Sequence, residues 1–424
     1  MKSEENMKYY PFPEHKIWRG GCFLGLFALL LLTRDAMYSM MVLDFYTCQY
    51  LSLAILGVMG VAFLTVNRRR LPEILKDPRM ALILFSLLAA MVPMVIKGDW
   101  QLMYFSIILG MLLAVFLSYF MTLREVARWY VLTMCALGAW SVLTAYVLRI
   151  PVDTGLVAMK PVTNSIGVEF YNFVFSIVPD TYVRYRNFGI FREPGVYQFF
   201  LIVALYLNND VLEWRTEKQL WICNIVLGVT MLTTFATGGM IEMGLLFVIL
   251  FFEKKWYRNK WILLGIAVAA VLAGAAVMWI VSEKNELYYT FLDMVGKFTR
   301  NPESVGSRLG SITLGVQTFF RSPLVGESVD SVLHAMVDNS TSTLILYNIF
   351  GILGGTLNVA GWFALVWRKN RSILVNLLLA MVLFMAFNTQ NLTWNLFFWI
   401  FPGMALAEWA LPLIWENALL RNHK

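Results

Sequence analysis

Apolar runs about 20 residues long recur along almost the whole chain, and they restrict its fold more than any other feature. A helix of about 20 apolar residues is long enough to cross a hydrocarbon layer of about 30 Å. Of the 424 residues, 59% are hydrophobic and only 14% are charged, whereas a soluble domain carries about 25% charged residues. The pattern therefore predicts an all-α, polytopic membrane protein, with residues 1–424 forming a single integral membrane domain.

The hydropathy pattern predicts about twelve transmembrane helices, most of them separated by short loops. Their predicted bounds are 17–33, 49–66, 80–96, 100–121, 129–149, 193–208, 219–236, 239–252, 261–281, 341–366, 373–388 and 392–414. The eighth segment is short for a crossing, and we expect it to be tilted, broken or longer than these bounds.

Lysine and arginine are distributed unevenly between the two predicted sides. With both termini in the cytoplasm, and with charges at span ends included, the inner segments hold 22 Lys and Arg and the outer segments hold 12. This bias predicts a multi-pass membrane protein in that orientation. The net charge of +7 is therefore a topology signal, and no nucleic-acid partner is expected. Most outer charges lie in two long outer loops, residues 150–192 and 282–340.

The first outer loop ends in a cluster of three arginines, Arg184, Arg186 and Arg192. Arginine is normally less frequent in loops outside the cytoplasm, because Lys and Arg favour the cytoplasmic side of a membrane protein. Its planar guanidinium group binds phosphate through two parallel hydrogen bonds, and a pyrophosphate-linked lipid would present phosphate at the membrane surface. Alternatively, these arginines only reach lipid headgroups and Glu193 only pairs with Arg192. Pro194 is expected to open the sixth span, because proline suits a first helical turn.

The stretch Phe191-Arg192-Glu193-Pro194-Gly195 resembles the Phe-x-Glu-Pro-Gly signature of Wzy-type O-antigen and capsule polysaccharide polymerases. Arg184 and Gly195 have ten residues between them, similar to an Arg-x10-Gly pattern of this family. The resemblance implies a glycosyltransferase-C-like fold in a protein of the bacterial cytoplasmic (inner) membrane. It also implies an activity: polymerisation of undecaprenyl-pyrophosphate-linked oligosaccharide repeat units into O-antigen or capsular polysaccharide on the outer face of the membrane, with inversion at the anomeric carbon.

Four residues are the expected catalytic groups: Arg184, Arg192, Glu193 and Arg308. The arginines would stabilise the negative charge that develops on the leaving pyrophosphate. Glu193 would be a general base, although an ion pair with Arg192 would weaken it in that role. The expected partners are lipid-linked glycan donor and acceptor, membrane lipids and a chain-length regulator protein. Neither outer loop contains an Asp-x-Asp motif, so we expect transfer without a metal or other cofactor.

In the second outer loop, apolar residues recur at helical spacing from Arg308 to Arg321. This spacing predicts an amphipathic helix on the outer membrane face. The motif Pro323-x-x-Gly326 follows and is expected to end the helix. This layout is similar to the wider O-antigen ligase and polymerase superfamily, although no glycine follows Arg308 or Arg321 at the ten-residue spacing. We expect five further residues to bind substrate: Arg186, Arg321, His334, Asn339 and Glu242. His334 is alternatively an ordinary polar loop residue.

Glu242 lies inside the eighth predicted span, where a carboxylate is either a ligand contact or a residue at the span end. Asp35 and Asp44, near the ends of the first two spans, are interpreted as interfacial. Two other functions stay open. An O-antigen ligase would transfer finished glycan to lipid A core, and the His334 region favours it. A lipid-linked oligosaccharide flippase or transporter would place its ionisable residues near the middle of the bilayer.

Overall fold

The computed structural model describes residues 16–163, 168–180, 185–284, 286–296, 302–335 and 341–422, most of which are helical. The α-helices in this part of the chain are α1 (Lys16–Leu31), α2 (Met37–Val42), α3 (Phe45–Val66), α4 (Leu71–Ile74), α5 (Arg79–Lys97), α6 (Met103–Phe120), α7 (Leu123–Leu143), α8 (Ile150–Asp153), α9 (Pro194–Tyr206), α10 (Glu217–Thr233), α11 (Thr237–Glu253), α12 (Lys260–Glu283), α13 (Glu286–Gly296), α14 (Pro302–Arg321), α15 (Val329–Ala335), α16 (Ser342–Val366), α17 (Ile373–Phe387) and α18 (Phe397–Asn422). Two π-helical turns, Thr144–Leu148 and Leu207–Val211, extend α7 and α9.

Each of the twelve predicted spans coincides with one of these helices. Within the described residues, six helices are long and apolar enough to cross a membrane: Tyr46–Val66, Arg79–Lys97, Met103–Phe120, Leu123–Asp153, Lys260–Ser282 and Ser342–Val366. Trp18–Leu31 and Ile373–Phe387 are shorter apolar helices. The fold is that of a mostly helical membrane protein, and the number of twelve crossings stays a prediction. The eighth segment is longer than its predicted bounds, because α11 has 17 residues.

Helix α9 lies at the centre of the molecule. Every one of its residues except Gly195 is buried, as expected for a helix that is apolar on all sides. It packs against α7, α10, α11 and α17. The loop that precedes α9 therefore lies at one end of the helical bundle, near its centre.

A buried group of charges joins the helices at the other end of α9. Asp210 forms ion pairs with Arg371 and with Arg368, and it accepts a hydrogen bond of 2.7 Å from the Tyr206 hydroxyl. Arg371 also pairs with Glu253 at 3.0 Å. Since a buried carboxylate needs such partners to offset the loss of water, this network holds α9, α11 and the start of α17 together at the end that the charge bias predicts to be cytoplasmic.

The first outer loop contains a small antiparallel sheet that the sequence analysis did not predict. Its strands are β1 (Val162–Thr163), β2 (Glu169–Phe173) and β3 (Ser176–Pro179), in the order β1-β2-β3. In the β2–β3 hairpin, Phe170 lies opposite Pro179 and Phe173 lies opposite Ser176. Phe170 and Ile177 pack with Phe188 in a small apolar cluster. The aromatic and β-branched residues of this stretch suit a half-buried strand.

Helix α16 is broken at Gly351, and the turn after α14 lies in the break. Gly351 has φ 61° and ψ −166°, a conformation that is essentially restricted to glycine. Its neighbour Ile352 donates its N–H to the Pro323 carbonyl at 2.8 Å, and the Asn348 carbonyl accepts from the Glu327 N–H at 2.6 Å. A helix that contains Arg308–Arg321 and ends before Pro323-x-x-Gly326 is confirmed, whereas its position on the outer membrane face stays a prediction. Its attachment to α16 was not predicted.

Candidate functional site

The Arg192 guanidinium group lies between two carboxylates from different parts of the chain. Its Nε is 3.0 Å from Asp35 Oδ1, and one terminal nitrogen is 2.8 Å from Glu193 Oε1. The backbone N–H of Arg192 also donates to the Asp35 carbonyl at 2.8 Å. The Arg192 side chain is 37% exposed. Among the described residues these contacts occupy two of its five N–H groups, so the remaining N–H groups can bind an anion that arrives from solvent.

Asp35 connects this arginine to the loop before α18. Its carboxylate is almost fully buried and accepts a second hydrogen bond of 2.9 Å from the Asn395 side-chain amide. The adjacent Arg34 guanidinium lies 4.4 Å from the centre of the Trp394 ring. Three segments that are distant in sequence therefore meet at one point: the end of α1, the start of α9 and the loop before α18. The interpretation of Asp35 as a merely interfacial residue was incomplete.

The charges of this cluster influence one another. Burial lowers the pKa of Arg34; the Asp35 carboxylate opposes this effect and the Arg192 guanidinium adds to it. Burial would also lower the pKa of Arg192, but the carboxylates of Asp35 and Glu193 outweigh it and raise that pKa. Both arginines are therefore cationic at any physiological pH. The two arginines and two carboxylates have no net formal charge, so an anion would have to compete with Glu193 for Arg192.

The Glu193-Pro194-Gly195 motif begins α9 as predicted. Pro194 is the first helical residue, and Glu193 precedes it with an extended backbone. The Glu193 side chain does not cap the helix; it pairs with Arg192 and is 38% exposed. A methyl group on Gly195 would overlap the side-chain amide of Gln390. The glycine therefore allows the start of α9 to lie directly against the loop that also holds Trp394 and Asn395.

Arg186 belongs to a different part of the same loop. Its Nε donates to the Thr234 carbonyl at 3.1 Å, at the end of α10. The next residue, Asn187, is buried and donates to Ser141 Oγ at 3.0 Å and to Thr233 Oγ1 at 3.1 Å. Gly189 has φ 57°, and an added Cβ would lie 2.7 Å from the Tyr197 ring. These contacts give residues 186–192 a defined path across the ends of α7, α10 and α9.

Gln198 links α9 to two further elements of the site. Its side-chain oxygen accepts from the Gly239 N–H at 2.6 Å, and its nitrogen donates to Thr389 Oγ1 at 2.7 Å. Sequence reasoning missed this residue, because an isolated glutamine in an apolar run carries no recognisable motif. Glycine at 239 has a steric reason: an added Cβ would lie 2.7 Å from the Gln198 Cβ.

Glu242 is fully buried one helical turn after Gly239, on the same face of α11. Neither of its carboxylate oxygens has a hydrogen-bond partner among the described residues. Because the Glu242 side chain is fully buried, it does not reach the surface from the end of the span, which was one of the two expectations. A carboxylate inside a membrane protein costs several kcal/mol unless protein, water or a ligand surrounds it, so Glu242 is retained as a candidate ligand contact.

The second-loop candidates do not join the Arg192 cluster in the part of the chain that the structure describes. His334 is exposed and its Nδ1 lies 2.7 Å from the Asp330 carbonyl, and Arg321 is exposed at the end of α14. Asp99 instead accepts from the Val329 N–H at 2.7 Å, which ties α15 to the α5–α6 loop. Arg184 and Asn339 lie outside the described residues, as does the side chain of Arg308.

The Asp35 carboxylate provides a test of this cluster. In Asp35→Asn the shape is kept but the negative charge beside Arg192 is lost, so we expect the guanidinium group to lose its orientation. If the chain is a polymerase, as its resemblance implies, polymer formation in cells should fall by about 10-fold, because small misplacements of a binding group reduce rates strongly. Asp44→Asn is the matched control: Asp44 caps α3 by accepting from the Thr47 N–H, and asparagine caps helices equally well. Equal loss of polymer in both variants would contradict a specific role for Asp35.

Comparison of the chain with protein-family models, with curated proteins and with solved structures finds no match. The resemblance to Wzy-type polymerases therefore depends on the short motifs of the first outer loop.

Proposed function

We propose that this protein is a membrane glycosyltransferase that joins undecaprenyl-pyrophosphate-linked oligosaccharide repeat units into O-antigen or capsular polysaccharide. The proposal includes twelve spans, cytoplasmic termini, the bacterial cytoplasmic membrane and chemistry on its outer face. The observation that carries it is the partly exposed Arg192 side chain, whose guanidinium group is held by Asp35 and Glu193 at the start of the buried helix α9. A fixed guanidinium with unused N–H groups suits a pyrophosphate at the membrane surface.

In the proposed reaction, the lipid-linked growing chain is the donor and a single lipid-linked repeat unit is the acceptor. An acceptor hydroxyl attacks the anomeric carbon of the donor, and a new glycosidic C–O bond forms. The C–O bond to pyrophosphate breaks, and undecaprenyl pyrophosphate leaves with the bonding electrons. Arg192 stabilises the charge that develops on this leaving group, which is commonly the largest catalytic contribution in an enzyme site.

Glu193 is the proposed acceptor of the hydroxyl proton. Its side chain is 38% exposed, so a hydroxyl group can reach the carboxylate. When pyrophosphate binds Arg192, it competes with the Glu193 carboxylate for the same guanidinium group. Displacement of Glu193 would release the carboxylate as a base at the moment that the donor is in place. Donor binding and base activation are thus coupled in this proposal.

The direct test is deletion of the gene in its host, followed by electrophoresis of the surface glycan. A polymerase deletion leaves glycan of a single repeat unit. Loss of all capped core would instead indicate a ligase or a flippase, and an unchanged ladder would reject all three functions.

One observation favours a transporter as the second candidate, namely the buried Glu242 within α11, whose carboxylate has no hydrogen-bond partner among the described residues. Transporters keep ionisable groups of this kind along the substrate or proton path. If the protein is a polymerase in which Glu242 only contacts the substrate, Glu242→Gln should still give measurable polymer, because glutamine has the same shape and can still form hydrogen bonds. If it is a transporter that uses this carboxylate, Glu242→Gln should abolish surface glycan. Gel analysis of the complemented deletion strain separates the two results.

A further inference from the structure

A cavity of about 780 Å³ lies at the end of the molecule that is opposite to the Arg192 cluster. It is formed by the start of α10, the end of α11, the turn after it and the start of α12. Its lining is basic and aromatic: Lys254, Lys255, Arg258, Lys260, Trp221, Trp256 and Trp261, with Glu217 as its only acidic residue among those that the structure describes. Four cations and one carboxylate leave a formal charge of +3 around the cavity.

Two helices begin at this cavity and add to its positive potential. Helix α10 starts at Glu217 after the capping residue Thr216, and α12 starts at Lys260 after the capping residue Asn259. The Asn259 side chain accepts from the Trp261 N–H at 3.0 Å. Because the N-terminal end of a helix carries a partial positive charge, both starts favour an anion in the cavity.

Three of the four cations are available to a ligand. Lys254 donates its ammonium group to the Asn209 carbonyl. Lys255, Arg258 and Lys260 are exposed, and within the described residues none of them pairs with a carboxylate. Lys255 has φ 55°, and the tight turn Trp256–Arg258 that follows brings the three side chains to the same cavity. Such a concentration of like charge is stabilised when an anion binds.

The surroundings of the cavity identify the anion as part of a lipid. Helix α12 has the highest hydropathy of the candidate spans and no buried residue between Lys260 and Ser282, so lipid chains would cover its surface. Trp261, at the start of α12, is 70% exposed. The ring centroids of Trp221 and Trp256, which line the same cavity, are 5.0 Å apart. Tryptophan at the end of an apolar helix is typical of the level of lipid headgroups.

We propose that this cavity binds the phosphate headgroup of an anionic phospholipid in the cytoplasmic leaflet, with the acyl chains against α11 and α12. Basic pockets between membrane helices on the cytoplasmic side bind anionic headgroups in this way. The inference uses the membrane topology of the proposed function but not its chemistry. A protein that failed as a polymerase would still bind the lipid, and the two proposals therefore fail separately.

The test is native mass spectrometry of the full-length protein in detergent, titrated with phosphatidylglycerol or phosphatidylcholine. The wild-type protein should retain phosphatidylglycerol preferentially, and high salt should weaken its retention. In the triple variant Lys255→Gln, Arg258→Gln, Lys260→Gln, affinity for phosphatidylglycerol should fall on the order of 100-fold, since each basic side chain near an anionic surface contributes roughly fivefold. The triple variant Lys255→Arg, Arg258→Lys, Lys260→Arg retains all three positive charges. It should bind phosphatidylglycerol with the wild-type affinity.

The matched control is Arg68→Gln, Arg69→Gln, Lys76→Gln, which removes three exposed charges from another basic cluster on the same predicted side. It should bind phosphatidylglycerol as the wild-type protein does. Equal affinities of the control and the cavity variant would overturn the proposal. It would also be overturned if inorganic phosphate displaced the lipid at comparable concentration, or if the basic cavity joined two copies of the chain without retained lipid. If the glutamine variant does not fold, the salt dependence and lipid preference of the wild-type protein decide the question.

Discussion

Replacement of Arg192 by lysine is expected to abolish long polysaccharide while the protein continues to accumulate in the membrane. Lysine keeps the charge but cannot contact Asp35 and Glu193 and still present parallel N–H groups to a pyrophosphate, since its ammonium group is a point charge. Loss of one group that stabilises transition-state charge reduces rates on the order of 100-fold or more. Gel analysis of surface glycan from the complemented deletion strain, with the membrane level of each variant measured in parallel, gives the result.

Arg124→Lys is the matched control for this prediction. Arg124 also forms a paired contact with a glutamate, Glu213, with two N···O distances of 3.0 Å. This pair is exposed and lies at the predicted cytoplasmic end of the molecule, far from the loop before α9. The control variant should make polymer of normal length. Normal polymer from Arg192→Lys would refute the assignment of Arg192 to pyrophosphate binding, whereas equal loss in both variants would indicate a general sensitivity to arginine replacement.

Gly351→Ala is expected to cause the largest loss of stability. Alanine at φ 61° and ψ −166° is strained, and its Cβ would overlap the Leu324 carbonyl. Strain of this kind alone costs on the order of 1–3 kcal/mol, and the overlap would also displace the turn between Pro323 and Gly326. We expect the apparent Tm of the detergent-purified protein to fall by about 3 °C or more, since 1 kcal/mol shifts the Tm of a chain this long by about 1 °C.

Gly265→Ala provides the comparison for that measurement. Gly265 lies within α12, and a Cβ added there would meet nothing within 4 Å. Alanine is also the better helix former, so Tm should be unchanged or higher. Similar Tm values for Gly351→Ala and the wild-type protein would contradict both the broken conformation of α16 and its contact with the second outer loop.

The local and periodic features of the fold could be predicted from the sequence. Each predicted span coincides with a helix, because a long apolar run in lipid must satisfy its backbone hydrogen bonds internally. Pro194 begins α9 because proline lacks only an N–H that a first helical turn would leave unpaired. The stop at Pro323 and Gly326 also follows from local preferences. The small sheet in residues 162–179 was missed, because its strands are short and depend on packing against Phe188.

The pairing of Arg192 with its neighbour Glu193 could be anticipated from the sequence, but its distant neighbours could not. Asp35 is 157 residues away in sequence, and Asn395 is 360 residues from Asp35; no local pattern marks either as a partner. A helical membrane protein, the start of α9, the candidate arginines and the Arg192–Glu193 pair all follow from the sequence. Only the packing of distant segments brings Asp35 and Asn395 to this pair and breaks α16 at Gly351, where the turn of the second loop is received. The physical reason is that helix formation depends on neighbouring residues, whereas a site between helices depends on which faces of distant segments pack together.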